Sequence, residues 1–398
     1  MKPQPIHAAW TCLALVVVLI ACAEGPPAPT GGEPERWTLA EARVFSPSDE
    51  APLTSVLFIL PTGHGQLLVV DGRTPAVLRF DTAGTYLGRV GGEGDGPGEF
   101  RRVAAIGLLG DTLWVADGRH ARSTRFVDGR VVDTAEHLEA ARARFPHGDW
   151  TLAGVMADGA PLVAVLDTSH TRFSFERIEG LTHTQLADTR WGDRNLRVVV
   201  PGVESYLPNP WPTGDLVALA PDGSRLAVLE RPVPTHPDSA AYHVRVVDPH
   251  GTELWRTSVP YVPVPVPSSE VDAWVARQVE AEDGPGGHMI TRGLTSRGAW
   301  ERAVREAFDA PAYEPPTTTR PAGPFARTVR AAAGDVVWAE RETGRWDVVE
   351  PEGRTAVVAV PEDAEVLTLD GDHVWGTRTD DLGVPTIVRW RVVRGGEV

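Results

Sequence analysis

The chain is 398 residues long and carries a formal net charge of −16, with 54 Asp and Glu against 38 Lys and Arg. This balance excludes a nucleic-acid binder, which needs a basic face for the phosphate backbone, and adhesion of the protein body itself to an anionic lipid surface. Lys2 is the only lysine, and Cys12 and Cys22 are the only cysteines, so phosphate loops of the Gly-Lys-Ser/Thr type, Schiff-base lysines and disulfide frameworks are excluded as well.

Residues 1–21 read as a processing segment. Lys2 and His7 precede an apolar stretch from Ala8 to Ala21, too short for a membrane span and placed where a secretory h-region lies. The stretch ends in Leu19-Ile20-Ala21-Cys22, which resembles the bacterial lipobox. The resemblance implies that Cys22 bears lipid and makes the membrane a partner; an ordinary cleaved signal peptide is the alternative. Residue 23 is Ala rather than Asp, which favours the outer membrane if the organism has one. Residues 22–35 are mostly Gly, Pro, Ala and Glu and read as a flexible tether.

Residues 36–398 form the expected folded body. Arg36 to Val44 is a lone strand-like segment. Next come the apolar runs Val56 to Leu60, Leu67 to Val70, Val77 to Phe80 and Tyr86 to Val90, separated by Gly/Asp/Pro turns, which predict one antiparallel meander. Asp117-Gly118-Arg119 and Arg125-Phe126 then repeat Asp71-Gly72-Arg73 and Arg79-Phe80 at an offset of 46. A glycine followed by a short apolar run recurs at Gly65, Gly110, Gly159, Gly223, Gly334 and Gly371. Such recurrence is the mark of radially repeated four-stranded blades, and six copies predict six.

The connection from Gly91 to Phe100, the Trp114-Val115-Ala116-Asp117 strand end and Arg79-Phe80-Asp81 resemble repeats of the NHL class. The whole is similar to six-bladed β-propeller lipoproteins of bacteria. The fold expected is therefore all-β, a six-bladed β-propeller with a small helical insertion. The last repeat offers only Glu365 to Leu369, His373 to Thr377 and Thr386 to Val393, so the N-terminal strand is expected to supply its fourth and close the ring.

Two segments break the rhythm. From Asp188 to Thr213 no clear period appears, which reads as a long ordered loop. The insertion, residues 262–312, opens on Pro263-Val264-Pro265-Val266-Pro267. Ser269 and Asp272 then form a capping-box pattern before a helix over Glu270 to Glu282, and a second helical pattern carries Trp300, Ala303, Val304, Ala307 and Phe308.

In such meanders the second-to-third and sheet-to-sheet connections share one face. The binding-face candidates there are Asp71, Arg73, Asp117, Arg119, His120, Arg341, Arg378 and Asp380, with Asp167, His170, Glu230, Arg231 and Glu340 beside them. Each has a second reading: strand-end carboxylates cap turn amides, and arginines form ion pairs between sheets. Trp114, Trp338 and Trp375 read as packing between sheets. No His-Glu-x-x-His, Gly-x-Ser-x-Gly or EF-hand spacing occurs, and Pro97 spoils a Gly-x-Gly-x-x-Gly reading from Gly92. Catalytic residues are thus unassigned. The leading expectation is a binding module for a protein, peptide or glycan, without cofactor; the alternative, carried by the resemblance, is a calcium-dependent hydrolase or lyase with its ion in the central channel.

Overall fold

At Gly110-Asp111 and Gly371-Asp372 the glycine adopts φ of +59° and +56°, between the paired residues Leu109 and Thr112, and Asp370 and His373. A two-residue hairpin with positive φ at its first central position twists as antiparallel strands require, and only glycine takes that position without strain. At these two positions the Gly-Asp signature is therefore a tight hairpin. The computed structural model describes residues 33–45, 50–81, 83–137, 143, 145, 149–167, 171–180, 182–191, 195–283, 290, 293–308, 312–313, 329–331, 335–342 and 344–395. Cys22, most of the tether and His170 lie outside them.

Strand β1 (Glu35–Phe45) comes first, followed by the meander β2 (Val56–Pro61), β3 (Gln66–Asp71), β4 (Val77–Asp81) and β5 (Tyr86–Val90). Two short parallel strands, β6 (Gly92–Glu93) and β7 (Glu99–Phe100), pin the next connection. A second meander is β8 (Val103–Leu109), β9 (Thr112–Asp117), β10 (Arg122–Val127) and β11 (Arg130–Glu136). The third is β12 (Asp149–Val155), β13 (Pro161–Leu166), β14 (Arg172–Glu179) and β15 (Thr182–Arg190). A hairpin, β16 (Asn195–Val200) and β17 (Val203–Pro208), precedes the fourth: β18 (Leu216–Leu219), β19 (Leu226–Glu230), β20 (Ala241–Val247) and β21 (Glu253–Pro260). Helices α1 (Ser268–Asp283) and α2 (Arg297–Ala307) lead into β22 (Val329–Ala331), β23 (Val337–Glu342), β24 (Arg345–Glu350) and β25 (Gly353–Ala359). The last strands are β26 (Ala364–Asp370), β27 (His373–Thr379) and β28 (Pro385–Val393).

The fold is all-β, with antiparallel sheets in a propeller-like arrangement. Four meanders form separate four-stranded sheets, while β22 to β28 and β1 join in one eight-stranded sheet. Within it β1 runs antiparallel to β28, from Thr38 opposite Val393 to Phe45 opposite Ile387, and briefly parallel to β25. The N-terminal strand thus occupies the position at which the last meander lacks a fourth strand.

Neighbouring sheets share apolar clusters. Leu68 and Val77 meet Ile106 and Val115; Trp114 and Ala116 meet Leu152 and Val163; Leu162 and Phe175 meet Val217 and Val228. Tyr242 and Val244 meet Val337 and Ala339, Trp338 and Val358 meet Val374 and Trp390, and Trp375 and Ile387 meet Ile59 and Val69. Each buried Val, Leu, Ile or Phe among them contributes about 1.5–3 kcal/mol relative to exposure, so burial at these interfaces can stabilise the fold without a disulfide. The tryptophans predicted to pack between sheets do so.

Two expectations fail. The segment from Asp188 to Thr213 is largely strand rather than loop: β15 continues to Arg190, and β16 pairs with β17. Its turn is Pro201-Gly202 with Gly202 at φ +83°, the dipeptide that suits a turn needing positive φ at its second central residue. The capping box does not form the helix start either. Helix α1 begins at Ser268, and Asp272 pairs across to Arg305 of α2 at 2.7 Å.

Candidate functional site

The ends of the second strands carry the predicted carboxylates, and several are committed to the backbone. Asp71, at the end of β3, is 2% exposed. It accepts from the amides of Thr54, Ser55 and Arg73 at 2.6, 2.7 and 3.0 Å, and from the Thr54 hydroxyl at 2.9 Å. Burial alone would raise its pKa, but these hydrogen bonds outweigh it and hold the carboxyl below the ordinary value. Asp117 repeats the device, accepting from the amides of Arg101, Arg102, Arg119 and His120. Its pKa is also lowered, with burial opposing and the backbone amides prevailing. Asp167 receives the amides of Thr171 and Arg172, and Asp380 those of Leu382 and Val384. Asp71 and Asp117 thereby tie their turns to the segments that enter β2 and β8, whereas Asp167 and Asp380 hold the turns that lead into β14 and β28.

The predicted arginines separate into exposed and internal ones. Arg73 and Arg119 are exposed, and among the described residues no hydrogen bond or ion pair reaches either guanidinium. Arg341 instead lies against the buried Asp347 at 3.9 Å. Arg378 pairs with Glu41 of β1 and lies 3.4 Å from Asp363. Arg231, expected on the rim, is fully buried and donates to the carbonyls of Gly214 and Pro212.

His120 joins the connection from Gly91 to Phe100 to the second sheet. Its Nδ1 lies 2.7 Å from Asp117 and its Nε2 3.0 Å from Asp95. Asp95 also takes both ends of a fork from Arg101 at 2.7 and 2.6 Å. Those hydrogen bonds, chiefly Arg101's, bring the Asp95 pKa down to about 2. Beneath them Arg122 donates to the carbonyls of Asp95, Gly96 and Glu99. Sequence reading did not find Asp95 or Arg122, because the contacts of Arg122, and that of Asp95 with His120, span more than twenty residues and carry no local spacing.

A cavity of about 580 Å³ runs between the sheets. Its walls come from the first strand of every meander: Leu57 to Leu60 of β2, Val103 to Ile106 of β8, Thr151 to Ala153 of β12, Val217 to Leu219 of β18, Arg330 of β22 and Leu367 and Thr368 of β26. Arg73, Glu93, Arg101 and Arg102 line one end, on the face of the capped connections. The carboxylates on its wall are Asp71, already saturated by amides, and Glu93, which is 72% exposed. Among the described residues no three His, Cys, Asp or Glu side chains gather where a metal could sit. The acidic cluster that the alternative reading, a calcium-dependent enzyme, would use in the channel is not among the described residues of this lining.

The same face carries a cap. The hairpin β16–β17 lies in the connection between the third and fourth meanders, and α1 and α2 lie in the connection from the fourth meander to β22. They meet in a core of their own, in which Leu196, Val198 and Leu207 pack on Trp274, Trp300 and Val304. Trp211 stacks on Phe308 at 5.7 Å. The hairpin alternates, so that Leu196, Val198 and Val200 point inward while Arg197 and Val199 face solvent beside Tyr206. Arg197 grips Glu204 with two hydrogen bonds of 2.6 and 2.8 Å. Among the described residues no helix is long and apolar enough to cross a membrane.

No family model matches the chain, and no curated protein matches it. Among solved structures, a Bacteroides fragilis protein described as exported is 11% identical, with a TM-score of 0.43 over 90% of this chain and 99% of that one. Virginiamycin B lyase from Staphylococcus aureus is 11% identical at a TM-score of 0.42, covering 90% of this chain and all of that one (100%). Calcium-binding regucalcin from Agrobacterium tumefaciens is 11% identical at 0.41, covering 90% and 96%. Likeness at this level carries no argument about ligand or chemistry.

Proposed function

We propose that the chain is a non-enzymatic binding module of the cell envelope, held to the membrane by lipid on Cys22, which docks a protein partner on its capped face. In this reading the body is a six-bladed ring closed by β1. The sharing of apolar clusters between each sheet and the next supports that count, as does the pairing of β1 with β28. Outer-membrane placement and NHL-type repeats belong to the same reading.

One observation carries the function. Two connections far apart in sequence build an ordered apolar core on one face, although neither contributes a strand to a meander. Structured insertions on a rigid scaffold are where recognition resides. The cap's outer surface fits a protein: Tyr206 is 62% and Val199 53% exposed, next to the Arg197–Glu204 pair, a mixture of aromatic and arginine groups typical of binding centres. The apolar residues Val262 and Val264 are exposed on the segment leading to α1.

The test is crosslinking in intact cells followed by affinity capture. Wild type should retain a specific partner that the double variant Tyr206→Ser, Val199→Ser loses while keeping its melting temperature. Recovery of the same proteins by both, or of none by wild type, would overturn the reading.

A further inference from the structure

We infer that the axial cavity is a second, separate site for a small organic carboxylate with a peptide-like body, its anionic end held by Arg73 and Arg102. In a chain of net charge −16 the cavity lining goes the other way, with Arg73, Arg101, Arg102 and Arg330 against Asp71 and Glu93. Arg101 is engaged by Asp95, and Arg330 donates to the carbonyl of Val366. No hydrogen bond or ion pair reaches the guanidinium groups of Arg73 and Arg102 among the described residues, and both residues belong to the cavity lining. Arginine offers a rigid fork of donors that matches a carboxylate.

The walls specify the rest of the ligand. Strands β2, β8, β12, β18, β22 and β26 each end their run of pairing within their own meander, so each has a backbone edge that its meander leaves unpaired. Neighbouring side chains already exploit these edges: Thr368 donates to the carbonyl of Ile59. Between the edges stand apolar side chains such as Leu57, Phe58 and Leu219. Trp114 also lines the cavity; it is 1% exposed, and its indole N–H has no acceptor among the described residues. A body that alternates hydrogen-bonding and apolar groups suits this wall, whereas a bare alkyl chain would leave the polar edges unsatisfied. From Arg102 to Ile106 the lining follows the chain for four steps, roughly 13 Å at ~3.3 Å per residue. That length accommodates a short peptide, and the volume lies in the usual range of small-molecule sites.

The site is tested by calorimetric titration of the full chain carrying Cys22→Ser, which needs no detergent. The probes are acetyl-Ala-Leu-Ala as the free acid and as its C-terminal amide. The acid should bind saturably at one per chain and the amide at least tenfold more weakly. Arg73→Gln with Arg102→Gln should reduce the acid to the amide's level at unchanged melting temperature, and Thr151→Trp, which fills the cavity, should abolish binding of both. Tyr206→Ser with Val199→Ser should leave the titration unaltered, which separates this site from the docking face. Equal binding of acid and amide, full binding by the arginine double variant, or no saturable binding of the acid by wild type would each overturn the inference.

Discussion

Phe45 is where the first and last meanders are joined, and its truncation measures what that junction contributes. The ring is 4% exposed, stacks on Trp375 at 5.7 Å with planes 26° apart, and shares a cluster with Leu53, Val56 and Ile59 on one side and Leu367 and Ile387 on the other. Phe45→Ala removes the ring from a site whose walls belong to two sheets and cannot collapse together without shifting β1. The expected loss is about 3–5 kcal/mol, the usual cost of emptying a buried phenylalanine site. Its neighbour Val44 is 44% exposed and lies on the same strand, so Val44→Ala should cost about 0.5 kcal/mol or less. Equilibrium urea unfolding of the Cys22→Ser chain, followed by tryptophan fluorescence and far-UV circular dichroism together, reads both values and tests cooperativity. If the two substitutions proved equally mild, β1 would be an appendage and not a closing strand.

Two further outcomes follow from buried polar groups. Burial holds the imidazole of His137 down to about 4 from its ordinary 6.5, with Nε2 2.7 Å from the Ser123 hydroxyl. The unfolded chain therefore takes up this proton first, so its contribution to stability is complete above the unfolded value and is lost as pH falls from about 6.5 toward 4. His137→Gln should flatten the stability curve over that interval, and parallel curves would refute the assignment. Asp347 is fully buried, accepts from the Tyr242 hydroxyl at 2.8 Å, and faces Arg354 and Arg341 at 3.6 and 3.9 Å. Asp347→Ala should cost about 3–5 kcal/mol, as does removal of one partner from a buried pair. Asp347→Asn keeps an acceptor for Tyr242 and should cost less; an alanine variant as stable as the asparagine one would contradict this account.

What could be read from the sequence was what local chemistry encodes. The strands of the first meander fall within a residue or two of expectation because Gly, Asp and Pro punctuate them, and the helices of the insertion because their apolar spacing is regular. The hairpin β16–β17 is not legible although Leu196, Val198 and Val200 alternate before Pro201-Gly202; the three prolines and one tryptophan that follow, at 208–212, obscure that period. Asp272 looked like a cap because its spacing from Ser269 fits one, yet an arginine more than thirty residues away takes it. The cavity had no sequence signature at all. Its wall is assembled from single strands of every meander, and their proximity is a property of the tertiary arrangement.

The capping carboxylates connect these levels. Asp71 and Asp117 recur because each gathers the amides of a turn and of the strand entering next to it, which fixes how one connection sits against the following sheet. That task uses their acceptor capacity, so Arg73 and Arg119, each two residues further on, gain no side-chain bond from the aspartate beside them. The repeat therefore produces, as a by-product of its own turn chemistry, exposed guanidinium groups with donors to spare. Where such a group also borders the axial cavity, as Arg73 does, the geometry that stabilises the turn has left a place for an external carboxylate.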